Sequence, residues 1–424
     1  MTSLNHCIKF QLNIEDPNLF FFDYHEALWQ GKQTKVYAAE LIQPSCPACH
    51  SQALKHNDHY LTRIRYLTSN ASTPVLLEIH KQRVICQACG KLSMAQTELV
   101  NKSCCISNSS KQKILAALTE DRSMSSIARP NNVSTNTVQR VLQNFDTPFL
   151  SSADKLPEHL AFDEFRGVGR KLHFICLDGT SHQIIQILRY RYKKDILKYF
   201  NRFTLAARKR VKTVSLDLNA YYQAIVRQMF PNAQIIVDRF HLIQMLNRAF
   251  NQLRVRVMKR FKPASYSYRL LKYFWKLYLM PYAKLEKQKP HYNWHLKDQL
   301  TQEQIVLDGL DQNPTLKHSY QLVQNFSAAL KQQDAHAMKG LINTKTVIGE
   351  QLRGILQTFK HNQTAVLNAG KYKYSNGCLE GINRKIKQIE RTAYGYSNFD
   401  NLLNRIKLEG KHSVLKEKSS NQLV

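Results

Sequence analysis

Residues 159–165 read HLAFDEF, residues 171–178 KLHFICLD and residues 182–190 HQIIQILRY. Each is a short run rich in Leu, Ile and Phe, the pattern of a buried or half-buried strand. A helical stretch around Asp195 to Phe203 follows. Then come KTVSLDL at 212–218, a helix AYYQAIVRQMF at 220–230, AQIIVD at 233–238 and a long helix from about Phe240 to Phe261. Three consecutive strands, then helix, strand, helix, strand and helix, predict one mixed sheet with helices on its faces.

That order is the ribonuclease H-like one, and two carboxylates interrupt its apolar runs. Asp163 follows Leu160, Ala161 and Phe162, and Asp217 follows Val214, Ser215 and Leu216. Buried carboxylates need partners. If the two strands are neighbours, the carboxylates face one another and repel unless cations sit between them. Glu380, opening a helix further on, would complete a hard-oxygen site for two Mg²⁺ or Mn²⁺ ions roughly 3.5–4 Å apart. Glu164, Asp178 and Glu390 compete for these roles. Strand alternation sends Glu164 to the face opposite Asp163, Asp178 ends a different strand, and helical rotation carries Glu390 off the face of Glu380.

The sheet segment, 155–262, is expected to be the first part of a catalytic core. Residues 263–370 are rich in Lys, Gln, His and Tyr without short apolar strand runs, so they read as an all-helical insertion. Residues 371–410, entered through Ser375-Asn376-Gly377, return to the core with Glu380, and 411–424 read as a frayed tail. On the N-terminal side, 1–42 hold an apolar cluster (Leu19, Phe20, Phe21, Phe22, Tyr24) with no clear period and read as a lead-in that packs on the next segment. Residues 43–107 carry Cys46-Pro47-Ala48-Cys49 and Cys86-Gln87-Ala88-Cys89-Gly90 around an alternating strand from Val75 to His80. Two intervening residues let both sulfurs of a tight turn point inward, so the two pairs predict one tetrahedral Zn²⁺ site. His50, His56, His59 and His80, in the intervening loop of about 36 residues, are rival ligands. Cys104 and Cys105 are badly placed to share that metal and read as structural.

Residues 108–150 change character. Ile114, Leu115 and Leu118, then Ile127 and Ala128, then Val138, Val141 and Leu142 predict three short helices, a helix-turn-helix. Ser134, the expected cap of the third, is read with Asn136, Gln139 and Arg140 as the DNA-binding set, and the last three can reach base edges or phosphates. An ordinary three-helix packing unit would give the same apolar pattern. Pro130 cannot lie inside the second helix, which must end before it.

The chain has 61 Lys and Arg against 31 Asp and Glu, a formal net charge of +30. A polyanion, and by default nucleic acid, is therefore the expected partner. At 43% hydrophobic residues with 14 Gly and 12 Pro, most of the chain can bury a core. No apolar run approaches the roughly 18 residues needed to span a bilayer, and the N-terminus lacks the pattern of a signal peptide. We expect no membrane partner and a cytoplasmic protein, associated with the nucleoid when on DNA. Nine cysteines, four of them in matched pairs, favour metal over disulfides.

Several stretches together resemble the ISL-three family of insertion-sequence transposases. They are Phe162-Asp163-Glu164-Phe165, Val214-Ser215-Leu216-Asp217, Phe230-Pro231-Asn232-Ala233, Asp238-Arg239-Phe240-His241, Ser375-Asn376-Gly377 through Glu380-Gly381-Ile382-Asn383, and Ile386-Lys387 to Arg391-Thr392-Ala393-Tyr394-Gly395-Tyr396. The resemblance implies an Asp-Asp-Glu enzyme with the triad Asp163, Asp217 and Glu380, and Asp238 with His241 beside the active site. The bland alternative for that pair is an Asp capping the helix that His241 begins. The implied partners are inverted-repeat DNA ends and target DNA, met as a homo-oligomer. The competing functions are a catalytically inactive DNA-binding descendant, and another ribonuclease H-like nuclease such as a junction resolvase. The intact triad argues against the first, and the insertion and zinc module against the second.

Overall fold

The computed structural model describes residues 2–66, 73–145, 148–149 and 154–420. They form two compact units, one of residues 1–147 with 388–424 and one of residues 148–387. Among the described residues no helix is long and apolar enough to cross a membrane.

The first unit opens with helix α1 (Thr2–Leu12) and strands β1 (Leu19–Trp29), β2 (Lys32–Leu41), β3 (Leu54–Tyr66), β4 (Val75–Cys86) and β5 (Leu92–Met94). The sheet order is β1-β2-β4-β3, with β5 on β4. β1 and β2 form a hairpin whose turn residues Gln30 and Gly31 both have positive φ (53° and 75°), the combination a tight hairpin requires. Leu19, Phe21, Leu41, Ile64, Leu77 and Ile79 share one buried cluster. The segment 1–42 thus supplies a helix and two strands to the sheet that carries the cysteine pairs. Its period was hidden because the β1 register shifts between Phe21 and Asp23, a bulge that breaks the alternation of two.

Three helices follow, α2 (Asn108–Ala117), α3 (Met124–Ala128) and α4 (Thr135–Gln143). Each begins on a serine whose hydroxyl accepts the backbone N–H three residues on: Ser107 from Ser110, Ser123 from Ser126 and Ser134 from Thr137. Their cores meet through Ile114, Leu118, Ile127, Val138 and Leu142. Helix α3 ends before Pro130, and Asn132 takes a positive φ of 50° in the turn to α4.

The second unit is built on β6 (His159–Arg166), β7 (Leu172–Asp178), β8 (Ile184–Leu188), α5 (Lys193–Phe200), α6 (Leu205–Lys209), β9 (Thr213–Leu216), α7 (Ala220–Met229), β10 (Gln234–Val237) and α8 (Arg239–Met258). The order across the sheet is β10-β9-β6-β7-β8. β6, β7 and β8 are successively antiparallel, and β9 and β10 run parallel to β6. The rings of Phe162, Phe200 and Phe230 pack together on one face, as part of a core that continues into the helices beyond.

Those helices are α9 (Tyr266–Tyr273), α10 (Gln302–Asp311), α11 (Pro314–Lys331), α12 (Ala335–Ile342), α13 (Glu350–His361) and α14 (Gln363–Asn368). The stretch is not all-helical, however: strands β11 (His291–Asn293) and β12 (Asp298–Leu300) pair as an antiparallel hairpin after α9. Three-residue strands with mostly exposed side chains show no alternation between core and solvent, so periodicity cannot reveal them. Helix α15 (Gly377–Thr392) then precedes α16 (Phe399–Ser420). The segment expected as a single return to the core, 371–410, is divided between the units at 387/388. Leu408 of α16 joins the core of α2–α4, and the buried Arg405 pairs with Glu409 at 2.9 Å while donating to the carbonyl of Glu120 at 2.6 Å. The tail expected from 411 is helical as far as Ser420, and 421–424 lie outside the described residues.

Candidate active site and cysteine cluster

The two Cys-x-x-Cys knuckles fold identically at the backbone level. In each, the residue after the second cysteine returns its N–H to the first cysteine's carbonyl, His50 to Cys46 at 2.9 Å and Gly90 to Cys86 at 2.8 Å. Both of those residues have positive φ, 57° and 71°. The turns bring all four sulfurs within 4.8 Å of one another, with Cys46 Sγ 3.7 Å from Cys89 Sγ and Cys49 Sγ 3.5 Å from Cys86 Sγ. Zn–S bonds of about 2.3 Å in a tetrahedron require sulfurs about 3.8 Å apart, so the donor set fits that ion. The backbone N–H groups of Ala48 and Cys49 push the Cys46 thiol down to about 6, while, against the Ser51 backbone N–H, the neighbouring Cys86 and Cys89 push the Cys49 thiol up to about 12. Three of the rival histidines lie elsewhere: His59 Nε2 is 3.0 Å from Glu40, His56 packs on His59, and His80 meets the Phe22 ring.

In the second unit, strand register sets the site. Ala161 of β6 pairs with Ser215 of the parallel β9, and Val237 of β10 pairs with Leu216. Continuing each register places Asp163, within β6, level with Asp217 and Asp238, which directly follow β9 and β10, beside the C-terminal edge where α/β sheets bind ligands. Asp163 accepts the Glu164 N–H at 2.7 Å and the Asn383 side-chain amide at 2.9 Å. Burial, with the Asp217 charge adding to it, pushes the Asp163 carboxyl up to about 6.

His241, on the first turn of α8, places Nδ1 2.7 Å from Asp217 Oδ1 and 3.2 Å from Asp238 Oδ2. The Asp217 carboxylate first, and Asp238 after it, raise it to about 10, so it is a cation at neutral pH. Asp238 is buried, which opposes its charge. Donation from His241 and from the Asn376 backbone outweighs burial and holds the carboxyl below its usual range. Asp238 also caps α8, accepting the His241 N–H at 3.4 Å.

Glu380 sits in the first turn of α15, exposed, with Oε1 2.5 Å from Arg384. Among the described residues the metal-ligating side chains gathered within 4.8 Å at this end of the sheet are Asp217, Asp238 and His241. From α15 it is Asn383, one helical turn after Glu380, that reaches Asp163. Sequence patterns assign neither Asn383 nor Asn376 a role. The turn Ser375-Asn376-Gly377 before a helix was the available signal for Asn376, whereas nothing local marks Asn383.

The competing acids are occupied. Glu164 accepts Arg191 Nη1 at 2.8 and 3.0 Å and the Tyr222 hydroxyl at 3.0 Å. Asp178 closes its own turn on the Thr180 N–H and the Ser181 hydroxyl. Glu390 belongs to the first unit. In the three helices expected to form a helix-turn-helix, Asn136 and Arg140 are exposed and Gln139 is half-buried, while the Ser134 hydroxyl is engaged in capping.

The chain matches known proteins in two registers. It is 34% identical over 116 residues to a protein of Lactococcus lactis subsp. lactis named "ATP-dependent protease", a match covering 27% of this chain and 37% of that protein. So short a span carries none of that protein's activity across. It is 22% identical over 360 residues to the transposase for insertion sequence element IS1001 of Bordetella parapertussis, covering 83% of this chain and 85% of that one. The profile of the ISL3-type DDE family, described as "Transposase", matches residues 160–406. That span takes in the whole row of carboxylates and the helix that reaches it, and by it the chain belongs to the ISL3 family of DDE transposases.

Proposed function

We propose that this transposase binds the inverted-repeat ends of an insertion sequence through residues about 40–146 and cuts and joins DNA strands at Asp163, Asp217 and Glu380. The observation that carries the catalytic part is the parallel register of β6 and β9, which sets two carboxylates side by side with Asp163 driven up to about 6. We read the mixed sheet as a ribonuclease H-like core, the fold the family implies.

Two hard carboxylates on neighbouring strands suit Mg²⁺ or Mn²⁺, and two such ions would activate a water or 3′-OH and stabilise the leaving oxygen. Asp163 must shed its proton to act as a ligand, and Asn383 fixes which oxygen it presents. His241 offsets the charge of Asp217 and Asp238. Glu380 is held by an exposed ion pair worth at most about 1 kcal/mol, so a cation can draw its carboxylate away from Arg384. In the first unit the four cysteines hold Zn²⁺, and Asn136, Gln139 and Arg140 face DNA, with Ser134 setting the start of their helix. Paired ends and target DNA call for a homo-oligomer, acting in the bacterial cytoplasm.

A second reading, an inactive DNA-binding descendant, is favoured by one observation, the Glu380–Arg384 pair. Incubating the protein with duplex carrying the inverted repeats that flank its coding region separates the two. Metal-dependent nicks with 3′-OH termini, and joined products, are expected. Tight end binding without cleavage in Mg²⁺ or Mn²⁺ would favour the second reading.

A further inference from the structure

Between the β1–β2 hairpin, strand β3 and the turn leading into α4 lies a cleft of about 460 Å³. Five of its lining side chains are cationic, Lys32, Arg65, Lys113, Arg129 and Arg140, and none of the described lining residues is acidic. They come from five places in the first unit: the hairpin, β3, α2, the end of α3 and α4.

Three of these cations are held by neutral neighbours. Lys32 donates to the Asn132 side chain at 2.7 Å, Arg65 to Gln30 at 2.9 Å, and Arg140 to the Thr137 hydroxyl and the Asn136 carbonyl at 3.4 Å each. Elsewhere in the same unit arginines do take carboxylates: Arg63, two residues before Arg65 on the same strand, pairs with Glu78 at 2.6 Å, and Arg83 pairs with Asp58 at 3.1 Å. Converging like charges in one concavity disfavour folding unless an anion enters. The hydroxyl of the exposed Ser134, also in the wall, suits a phosphate oxygen.

We propose that this cleft receives the sugar-phosphate backbone of a DNA strand, so that the sheet carrying the cysteine cluster and the helix-turn-helix grip one duplex together. The inference rests on the DNA-acting function proposed for the chain. A backbone is favoured over a small anion because the five cations are spread from the hairpin to α4, and Arg140 belongs both to the cleft and to the helix expected to meet base edges. Segment 1–42, through Trp29, Gln30, Lys32 and Thr34, is then part of the DNA-binding apparatus.

The test uses the full-length, zinc-loaded chain and measures duplex affinity against salt concentration. For Arg65→Gln with Arg129→Gln, the slope of log affinity on log salt should become shallower by about 0.9 per lost phosphate contact, thus by about 2. Arg129→Lys should keep the wild-type slope, as should the control Lys317→Gln, a lysine of α11 paired with Asp311. Zinc content and thermal midpoint report folding, and if the double variant fails there, Arg129→Gln alone should lower the slope by about 1. Wild-type binding with an unchanged slope in the folded variants would overturn the inference and leave the DNA reading standing. No duplex binding by the wild type would overturn that reading itself. If inorganic phosphate at matched ionic strength stabilises the wild type but not the double variant, while the DNA slopes agree, the cleft is a small-anion site and the backbone assignment is wrong.

Discussion

Asn376 donates its side-chain amide to the carbonyl of Phe162 at 3.0 Å, tying the start of α15 to the residue that precedes Asp163. Its backbone N–H meets Asp238 Oδ1, also at 3.0 Å. One residue thus joins α15 to two of the three strands beside which the aspartates lie. Replacing a donor to a buried carbonyl typically costs about 1–3 kcal/mol. Asn376→Asp keeps the shape but removes the amide donor, so its thermal midpoint should fall and strand cleavage should fall with it. A variant of unchanged stability and activity would show that α15 is held by other contacts.

Zinc should leave with the knuckles. Cys86→Ser should lose stoichiometric zinc by elemental analysis, whereas Cys104→Ser should keep it. Full zinc content in Cys86→Ser would exclude the four-cysteine site. His50 carries a steric penalty at positive φ that Gly90 avoids in the matching knuckle, so His50→Gly should raise the midpoint, by an amount corresponding to about 1 kcal/mol.

Among the acids, Asp163→Asn, Asp217→Asn and Glu380→Gln should fold and bind DNA ends but lose cleavage and strand transfer. Glu390→Gln should retain much more activity. Glu164→Gln should retain activity as well and show its effect chiefly in stability, because Glu164 serves Arg191 and Tyr222. Near wild-type cleavage by Glu380→Gln in Mg²⁺ would remove Glu380 from the triad. Asn383→Ala would then separate a structural from a site role for α15: a shifted metal dependence marks the latter.

Acidity gives an independent handle. Asp163 is raised to about 6, so between about pH 4 and 6 the folded protein holds a proton that the unfolded chain has already released. Folding stability in chelator should therefore decline as pH rises through this window. His241, raised to about 10, contributes stability that is fully present below about 6.5 and lost as pH climbs through 10. Asp163→Asn should flatten only the acidic decline. Calorimetry should also find that Mg²⁺ binding releases a proton near pH 6 and none well above it. Thermal midpoints of wild type and Asp163→Asn that run parallel from pH 4 to 7 would refute the assignment.

Elements that rest on local rules could be read from the residues alone. The strand runs, the knuckles, and the serine caps with their apolar spacing are set by neighbours a few residues apart, and Asp163 and Asp217 stand out because each interrupts an apolar run. Tertiary structure decided what depends on register and on partners far along the chain. The row of Asp163, Asp217 and Asp238 exists because three strands pair in parallel, and Asn383 meets Asp163 from 220 residues away. The bulge in β1 and the three-residue strands of β11 and β12 leave no period to read. Nor could composition locate the cationic cleft, since side chains from five separate elements converge there only after the sheet and the helices have packed.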